Sequence, residues 1–153
     1  MKLTIHRGTH EIGGTCVELA TENTRILIDI GLPLVDEDGQ SFKLGNYLDL
    51  SKAELVKKKL AKDISGLYKE DKESKQPDAI LISLSHPDHY GLMPFVKSEI
   101  PLYLSEGCLE LIKATYYFRG LDPIFKTVEI IENKRCFSIG DFKITPYLVD
   151  HSG

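Results

Sequence analysis

The clearest feature of the hydrophobic pattern is an apolar run that begins at Ala79 and ends among polar residues. Residues 79–82 are all apolar, and they follow the turn-forming segment 76–78. A run without polar alternation is typical of a strand that is buried on both faces. The pattern therefore predicts a central β-strand, followed by a loop that contains His86, Asp88 and His89.

The rest of the pattern predicts further strands that alternate with helices. Residues 2–6 alternate between apolar and polar, and residues 15–20 and 25–30 form an expected hairpin. Helices are expected over 52–62, capped by Ser51, and after the second capping residue, Ser105. The remaining predicted strands are 101–104, 127–131, 135–139 and 142–148. This order favours an α/β fold with a mixed sheet and flanking helices.

Three side chains that can bind metal follow the apolar run within four positions. His86, Asp88 and His89 are separated only by Pro87. Imidazole nitrogen together with carboxylate oxygen suits zinc, iron or manganese better than calcium or magnesium. The cluster follows the carboxyl end of a strand, where open α/β sheets bind their ligands. We favour a metal site, and the alternative is an ordinary hydrogen-bonded loop.

Length and composition are those of one globular domain. The chain has 153 residues, of which 42% are hydrophobic and 27% are charged. No apolar run approaches the length needed to span a bilayer, and the first residues turn polar too early for a signal peptide. We therefore expect a cytoplasmic protein that has no membrane segment.

The charge is distributed unevenly. The net charge is −4, but residues 52–75 contain eight lysines and five acids, a local charge of +3 that leaves −7 for the remainder. Such a segment can form a basic patch. The alternative is a solvated helix and loop of mixed charge, because the acids lie among the lysines.

Four sequence features resemble the metallo-β-lactamase superfamily. Asp29 within 27–31, the loop 86–91 and His151 resemble its first three motifs, and the glycine-rich segment 8–16 is similar to that of the ribonuclease J and β-CASP branch. The resemblance implies a metal-dependent hydrolase with the αββα sandwich fold of that family. Residues 1–153 would form a single partial domain, the amino-terminal half of the sandwich, truncated at its carboxyl end.

The resemblance also implies a role for each site residue. His86 and His151 would bind a first ion, and Asp88 and His89 would bind a second one. Asp29 would orient the loop without binding metal itself, and Asp88 would also be catalytic by directing the attacking water. The expected metal is zinc, with manganese or iron as alternatives. The expected reaction is attack of a metal-bound water on a phosphodiester of RNA or DNA, or on an ester-type bond.

Two departures from the family pattern qualify these expectations. Leu84 stands where the signature has its first histidine, so we expect weaker occupancy of the first metal site. The ligands of the second half are absent from the 153 residues, so the isolated chain is expected to be inactive. We expect a homodimer or completion by a carboxyl-terminal half, and a nucleic acid substrate for the whole protein. The alternative function is a noncatalytic metal-binding or interaction module.

Overall fold

A six-stranded mixed sheet is the centre of the fold. The computed structural model describes residues 1–35, 39–41, 47–72, 75–121 and 126–149, so the predicted ligand His151 lies outside the described residues. The strand order is β1-β2-β3-β4-β5-β6. These strands are β1 (Lys2–Arg7), β2 (Cys16–Ala20), β3 (Arg25–Ile28), β4 (Ala79–Leu81), β5 (Leu102–Leu104) and β6 (Val128–Ile130). The predicted mixed α/β architecture is confirmed.

The directions of the strands determine where a site can form. β1, β2 and β3 pair antiparallel, whereas β3, β4, β5 and β6 pair parallel. Five of the six strands therefore end at the same edge of the sheet, which we call the carboxyl edge; β2 begins there. Residues that follow these strands are brought together at this edge.

The described residues contain three α-helices and one 3₁₀ helix. They are α1 (Lys52–Lys57), α2 (Pro87–Tyr90), α3 (Glu106–Phe118) and the 3₁₀ helix Met93–Phe95. The Ser51 and Ser105 side chains accept hydrogen bonds from the first turns of α1 and α3, as predicted. None of the helices in the described ranges is long and apolar enough to cross a bilayer.

The predicted extent of α1 was wrong, because the helix ends five residues before residue 62. Lys59 has a left-handed backbone with φ of 56°. The Lys59 N–H donates to Val56 O and the Leu60 N–H donates to Leu55 O. This pair of bonds is the Schellman motif, which satisfies the last carbonyls of a helix and reverses the chain. The reversal returns Leu60, which is 4% exposed, to the core.

The two faces of the sheet are covered differently. One face carries the larger apolar core, which includes side chains from α1, α2 and α3. The other face carries a two-stranded sheet formed by β7 (Phe137–Ile139) and β8 (Phe142–Ile144). Ile26, Ala79 and Ile139 are buried between the sheets, and the rings of Tyr103 and Phe137 stack at 5.4 Å. Two sheets packed in this way are the inner layers of a sandwich.

A polar contact fixes the small sheet to the large one. The turn between β7 and β8 lies against the turn between β2 and β3, where the Thr21 hydroxyl donates to Asp141 at 2.5 Å. The Asp141 N–H donates to the Thr24 hydroxyl at 2.9 Å. Gly140 has φ of 50°, and a Cβ there would lie 2.0 Å from Thr24 Oγ1. The contact therefore requires glycine at position 140.

Replacement of Gly140 by alanine should separate the two turns. We expect Gly140→Ala to lower the free energy of unfolding by about 2 to 3 kcal/mol, because it adds a steric clash to the cost of positive φ. Urea unfolding followed by circular dichroism measures the change.

Gly120→Ala is the matched control for the backbone conformation. Gly120 also has positive φ, 64°, but a Cβ there would meet no atom within 4 Å. We expect Gly120→Ala to lower the free energy of unfolding by only about 1 kcal/mol. Equal losses of unfolding free energy in Gly140→Ala and Gly120→Ala would contradict a steric clash with Thr24.

Candidate functional site

Asp29 anchors the site at the carboxyl edge of the sheet. It directly follows β3, is 2% exposed, and has a left-handed backbone with φ of 60°. Aspartate tolerates this conformation better than most residues do. The Asp29 N–H donates to Leu81 O at 2.8 Å, so the carboxylate is held beside the end of β4. A buried carboxylate requires hydrogen-bond donors.

The donors to Asp29 come from Ser83 and His89. Asp29 Oδ1 accepts the Ser83 backbone N–H at 2.8 Å. Asp29 Oδ2 accepts the Ser83 hydroxyl at 2.7 Å and lies 2.8 Å from His89 Nδ1. An ionised carboxylate can only accept, so the His89 proton is on Nδ1. The lone pair of a neutral His89 ring is therefore on Nε2, where a metal can bind it.

Backbone contacts hold α2 against the strand end that carries Asp29. Ile30 N–H donates to His89 O at 2.8 Å, and Leu32 N–H donates to Pro87 O at 3.1 Å. A Cβ at position 31 would lie 1.6 Å from the carbonyl oxygen of Asp88. Gly31 is therefore required for this close approach, which positions both Asp88 and His89.

Asp88 and His89 have a geometry that fits two ligands of one ion. The distance from His89 Nε2 to Asp88 Oδ2 is 3.6 Å. For bonds of about 2.1 Å in tetrahedral geometry, two ligand atoms lie about 3.4 Å apart. The chemistry also fits, because nitrogen and oxygen donors suit zinc, manganese and iron.

The described residues supply an incomplete ligand set. Over the described ranges, no group of three or more His, Cys, Asp or Glu side chains is placed to hold a metal ion. His86 lies at the start of α2, where its carbonyl accepts the His89 N–H at 2.9 Å. Leu84 is half-buried. The structure thus brings together Asp29, Asp88 and His89, whereas the metal-binding roles of His86 and His151 stay predictions.

Sequence reasoning missed Ser83, although it supplies two of the donors to Asp29. The available signal was a serine at the end of an apolar run, three positions before His86. Its partner lies 54 positions earlier in the chain. Such a pairing becomes visible only when β3 and β4 are known to be neighbours.

Sequence reasoning also missed an ion pair between buried Arg7 and exposed Glu11, at the start of the glycine-rich segment. Arg7, at the end of β1, has a side chain that is 5% exposed. Its guanidinium donates to both carboxylate oxygens of Glu11 and to Leu60 O. The hydrogen bond from Arg7 lowers the pKa of Glu11 below its ordinary value. This pair closes the segment 7–11 and ties it to the chain reversal after α1.

The glycine-rich segment is in turn connected to the loop that carries Asp88 and His89. The Thr15 N–H donates to Asp88 O at 3.1 Å, and the Gly31 N–H donates to Thr15 O at 2.9 Å. One hydrogen bond therefore links Thr15, at the end of this segment, to the backbone of Asp88, and the other links Thr15 to Gly31.

Replacement of Asp29 by asparagine should disorder the His89 ring. Asparagine also tolerates the left-handed backbone. Its side-chain NH₂ group cannot accept a hydrogen bond, however, so one of the three donors from Ser83 and His89 would lose its acceptor. We expect Asp29→Asn to lower the free energy of unfolding by about 1 to 3 kcal/mol. It should also weaken the Nδ1–H signal of His89 in long-range ¹H–¹⁵N spectra.

Ser83→Ala is the control for this variant. It removes the hydroxyl but leaves the backbone N–H of residue 83 and the His89 bond to Asp29. We expect the Nδ1–H signal of His89 to persist. Loss of that signal in Ser83→Ala and its survival in Asp29→Asn would contradict the assigned orientation.

Replacement of Glu11 by glutamine should make stability less sensitive to acid. The pKa of Glu11 is lowered in the folded state. The ionised Glu11 side chain therefore contributes fully to the free energy of unfolding above its ordinary pKa of about 4.5. The contribution is lost as the pH falls below that value. We expect Glu11→Gln to be less stable than wild type at neutral pH, with the difference narrowing below pH of about 4.5.

Urea unfolding at a series of pH values measures this difference. Glu99→Gln is the control, because Glu99 pairs with Lys126 on the exposed surface. Exposed pairs contribute little to stability. A difference for Glu11→Gln that stays constant with pH would contradict a role for the Glu11 charge.

The chain is similar to known proteins in sequence and, for solved structures, in fold. No protein-family model matches it. It is 28% identical over 155 aligned residues to Ribonuclease J of Helicobacter pylori, an alignment that covers 99% of this chain and 20% of that protein. The chain therefore spans about a fifth of the length of that relative.

Two solved structures are also similar. A protein of unknown function from Enterococcus faecalis V583 superimposes with a TM-score of 0.67 and 21% identity, over 92% of this chain and 36% of that one. A possible metal-dependent hydrolase from Veillonella parvula DSM 2008 superimposes with a TM-score of 0.50 and 17% identity, over 94% and 46%. The chain thus has the fold of the metallo-β-lactamase superfamily, and its sequence is similar to that of ribonuclease J.

Proposed function

We propose that this chain carries part of the metal centre of a hydrolase that cleaves phosphodiester bonds in RNA. The observation that carries the proposal is the orientation of His89, whose Nδ1 lies 2.8 Å from buried Asp29 while its Nε2 lies 3.6 Å from Asp88. This arrangement directs a nitrogen and an oxygen donor towards one ion. The ribonuclease name of a relative that matches nearly the whole chain supports RNA as substrate. DNA and ester-type substrates remain alternatives within the same chemistry.

Each residue has a defined part in this proposal. His89 and Asp88 bind one ion, and His86 and His151 contribute to another. Zinc is the proposed metal, with manganese or iron as alternatives. A metal bound here supplies Lewis-acid activation of water and of the phosphate. Asp29 keeps the His89 ring in place, and the second carboxylate oxygen of Asp88 is available to orient a water molecule.

The proposal includes completion of the site by residues outside the described ranges. Asp88 and His89 supply two donors, whereas a zinc site takes four ligands, three or more of them from protein. The remaining donors to this ion would come from a carboxyl-terminal half or a second copy of the chain, whereas His86 and His151 contribute to the other ion. We propose a cytoplasmic protein in which the 153 residues alone have little turnover.

A noncatalytic metal-binding or interaction module is the second candidate function. It is favoured by Leu84, a half-buried apolar side chain at the position where the family signature has a histidine. The Leu84 side chain cannot bind metal, so the ion assigned to His86 and His151 would be bound weakly. The two candidates differ in whether the bound metal supports hydrolysis.

Replacement of His89 should abolish tight metal binding. We expect the wild-type chain to bind about one zinc ion per chain, measured by competition with a chromophoric chelator, and His89→Ala to lose this binding. Supplying the carboxyl-terminal sequence should give metal-dependent cleavage of labelled RNA that disappears in the same variant.

His6→Ala is the matched control. His6 is half-buried on β1 and pairs with Glu18 at 3.1 Å, away from Asp88. Its replacement should leave zinc binding unchanged. Zinc affinity that survives in His89→Ala would overturn the proposed centre. Zinc binding without cleavage in the completed protein would favour the noncatalytic module.

A further inference from the structure

We infer that Gly13 is a positioning residue that keeps the Asp88 carboxylate opposite Nε2 of His89. The inference rests on the proposed function for the ion that Asp88 and His89 bind. Gly13 lies in the glycine-rich segment, where its φ of 78° is left-handed. A left-handed backbone alone would also permit asparagine or aspartate. The contacts around Gly13, by contrast, leave no space for any side chain.

Asp88 and Leu34 occupy the space that a side chain at position 13 would need. A Cβ at this position would lie 2.8 Å from Asp88 Cβ and 2.9 Å from Leu34 Cγ. It would also lie 3.3 Å from Asp88 Oδ2. Carbon atoms in contact prefer separations of about 3.5 to 4.0 Å. A methyl group at position 13 therefore has to displace its neighbours.

The carboxylate oxygen close to position 13 is the one that faces His89. Asp88 Oδ2 lies 3.6 Å from His89 Nε2, which fits the separation of two ligands of one ion. The Asp88 side chain is only 18% exposed, so it has little free space to move into. A displacement of Asp88 would therefore change the distance between the two donor atoms.

Rotation of the Asp88 side chain does not relieve the closest contact, because the backbone of α2 determines the position of Asp88 Cβ. The Thr15 N–H holds that backbone by donating to Asp88 O at 3.1 Å. Gly31 lies against the same carbonyl, where a Cβ would be 1.6 Å from the oxygen. Gly13 is itself fixed by a β-bridge to Pro33. A clash at position 13 must therefore move the backbones apart, and Asp88 with them.

Leu34 yields more easily than Asp88 does. Leu34 is 45% exposed, and rotation about its χ1 moves Cγ away from position 13. The contact with Leu34 therefore affects packing, whereas the contact with Asp88 affects a metal ligand. Substitutions can separate these two effects.

Replacement of Gly13 by alanine should weaken metal binding in a protein that stays folded. Competition for zinc with a chromophoric chelator measures the affinity of the whole 153-residue chain. We expect Gly13→Ala to lower the zinc affinity by about 10- to 100-fold, the loss that is typical when a group that positions a metal ligand is changed. Urea unfolding of the metal-free protein measures the accompanying loss of stability.

Gly8→Ala is the matched control for the backbone conformation. Gly8 lies in the same segment and has φ of 98°, but a Cβ there would lie 3.6 Å from the nearest described atom, Thr15 Cα. Both alanine variants carry the cost of positive φ, so both should lower the urea midpoint. Zinc affinity should fall in Gly13→Ala and stay at the wild-type value in Gly8→Ala. Equal zinc affinities in the two variants would overturn the inference.

A double variant, Gly13→Ala with Leu34→Ala, distinguishes the two clashes at position 13. It removes the contact with the leucine side chain and leaves the contact with Asp88. We expect the double variant to recover part of the urea midpoint and none of the zinc affinity, and Leu34→Ala alone to bind zinc as the wild type does. Recovery of zinc affinity in the double variant would overturn the inference, because the loss would then come from Leu34. If Gly13→Ala alone unfolds, the comparison of the double variant with Leu34→Ala tests the same contact.

A measurement without metal separates the role of Gly13 from the proposed function. In the metal-free protein, the ¹³C signal of the Asp88 carboxylate should shift in Gly13→Ala and keep its wild-type position in Gly8→Ala. An unshifted signal in Gly13→Ala would overturn the inference. A shifted signal in a protein whose wild type binds no zinc would support the positioning of Asp88 and reject the metal centre. Zinc binding that is lost in His89→Ala and unchanged in Gly13→Ala would do the reverse.

Discussion

The buried carboxylate of Asp29 is the interaction on which the site depends. A carboxylate with 2% exposure is stable only if donors replace the water that it has lost. Ser83 and His89 supply those donors from the end of β4 and from α2. One side chain therefore joins three segments and fixes which nitrogen of His89 can bind a metal. The same bonds connect the stability of the fold to the geometry of the candidate centre.

The direction of the strands explains why the glycine-rich segment and the loop with Asp88 both lie at the carboxyl edge of the sheet. β1, β3, β4, β5 and β6 all end at the carboxyl edge, so the residues that follow them meet there. The glycine-rich segment reaches Asp88 through Thr15, and Arg7 connects that segment to the reversal after α1. The loop 86–91 and the glycine-rich segment thus lie side by side at this edge of the sheet.

Local sequence predicted some elements well and others poorly. The apolar run after position 78 was confirmed as a buried strand, because a strand covered on both faces must be apolar throughout. The expected length of α1 was wrong, because its pattern continues to residue 62 while Lys59 reverses the backbone. Lysine gives no local signal for a left-handed conformation. That reversal is stabilised by Arg7, a residue more than fifty positions away.

The sequence by itself determined the fold class and the residues able to bind metal, since both follow from short-range patterns of polarity and from residue chemistry. It marked Asp29, Asp88 and His89 as candidates. The tertiary structure decided which of them meet, because only the pairing of β3 with β4 brings Asp29 to Ser83 and His89. It also decided that Arg7 contacts the chain reversal after α1. Hydrogen bonds between residues distant in sequence depend on the arrangement of strands, which no local pattern contains.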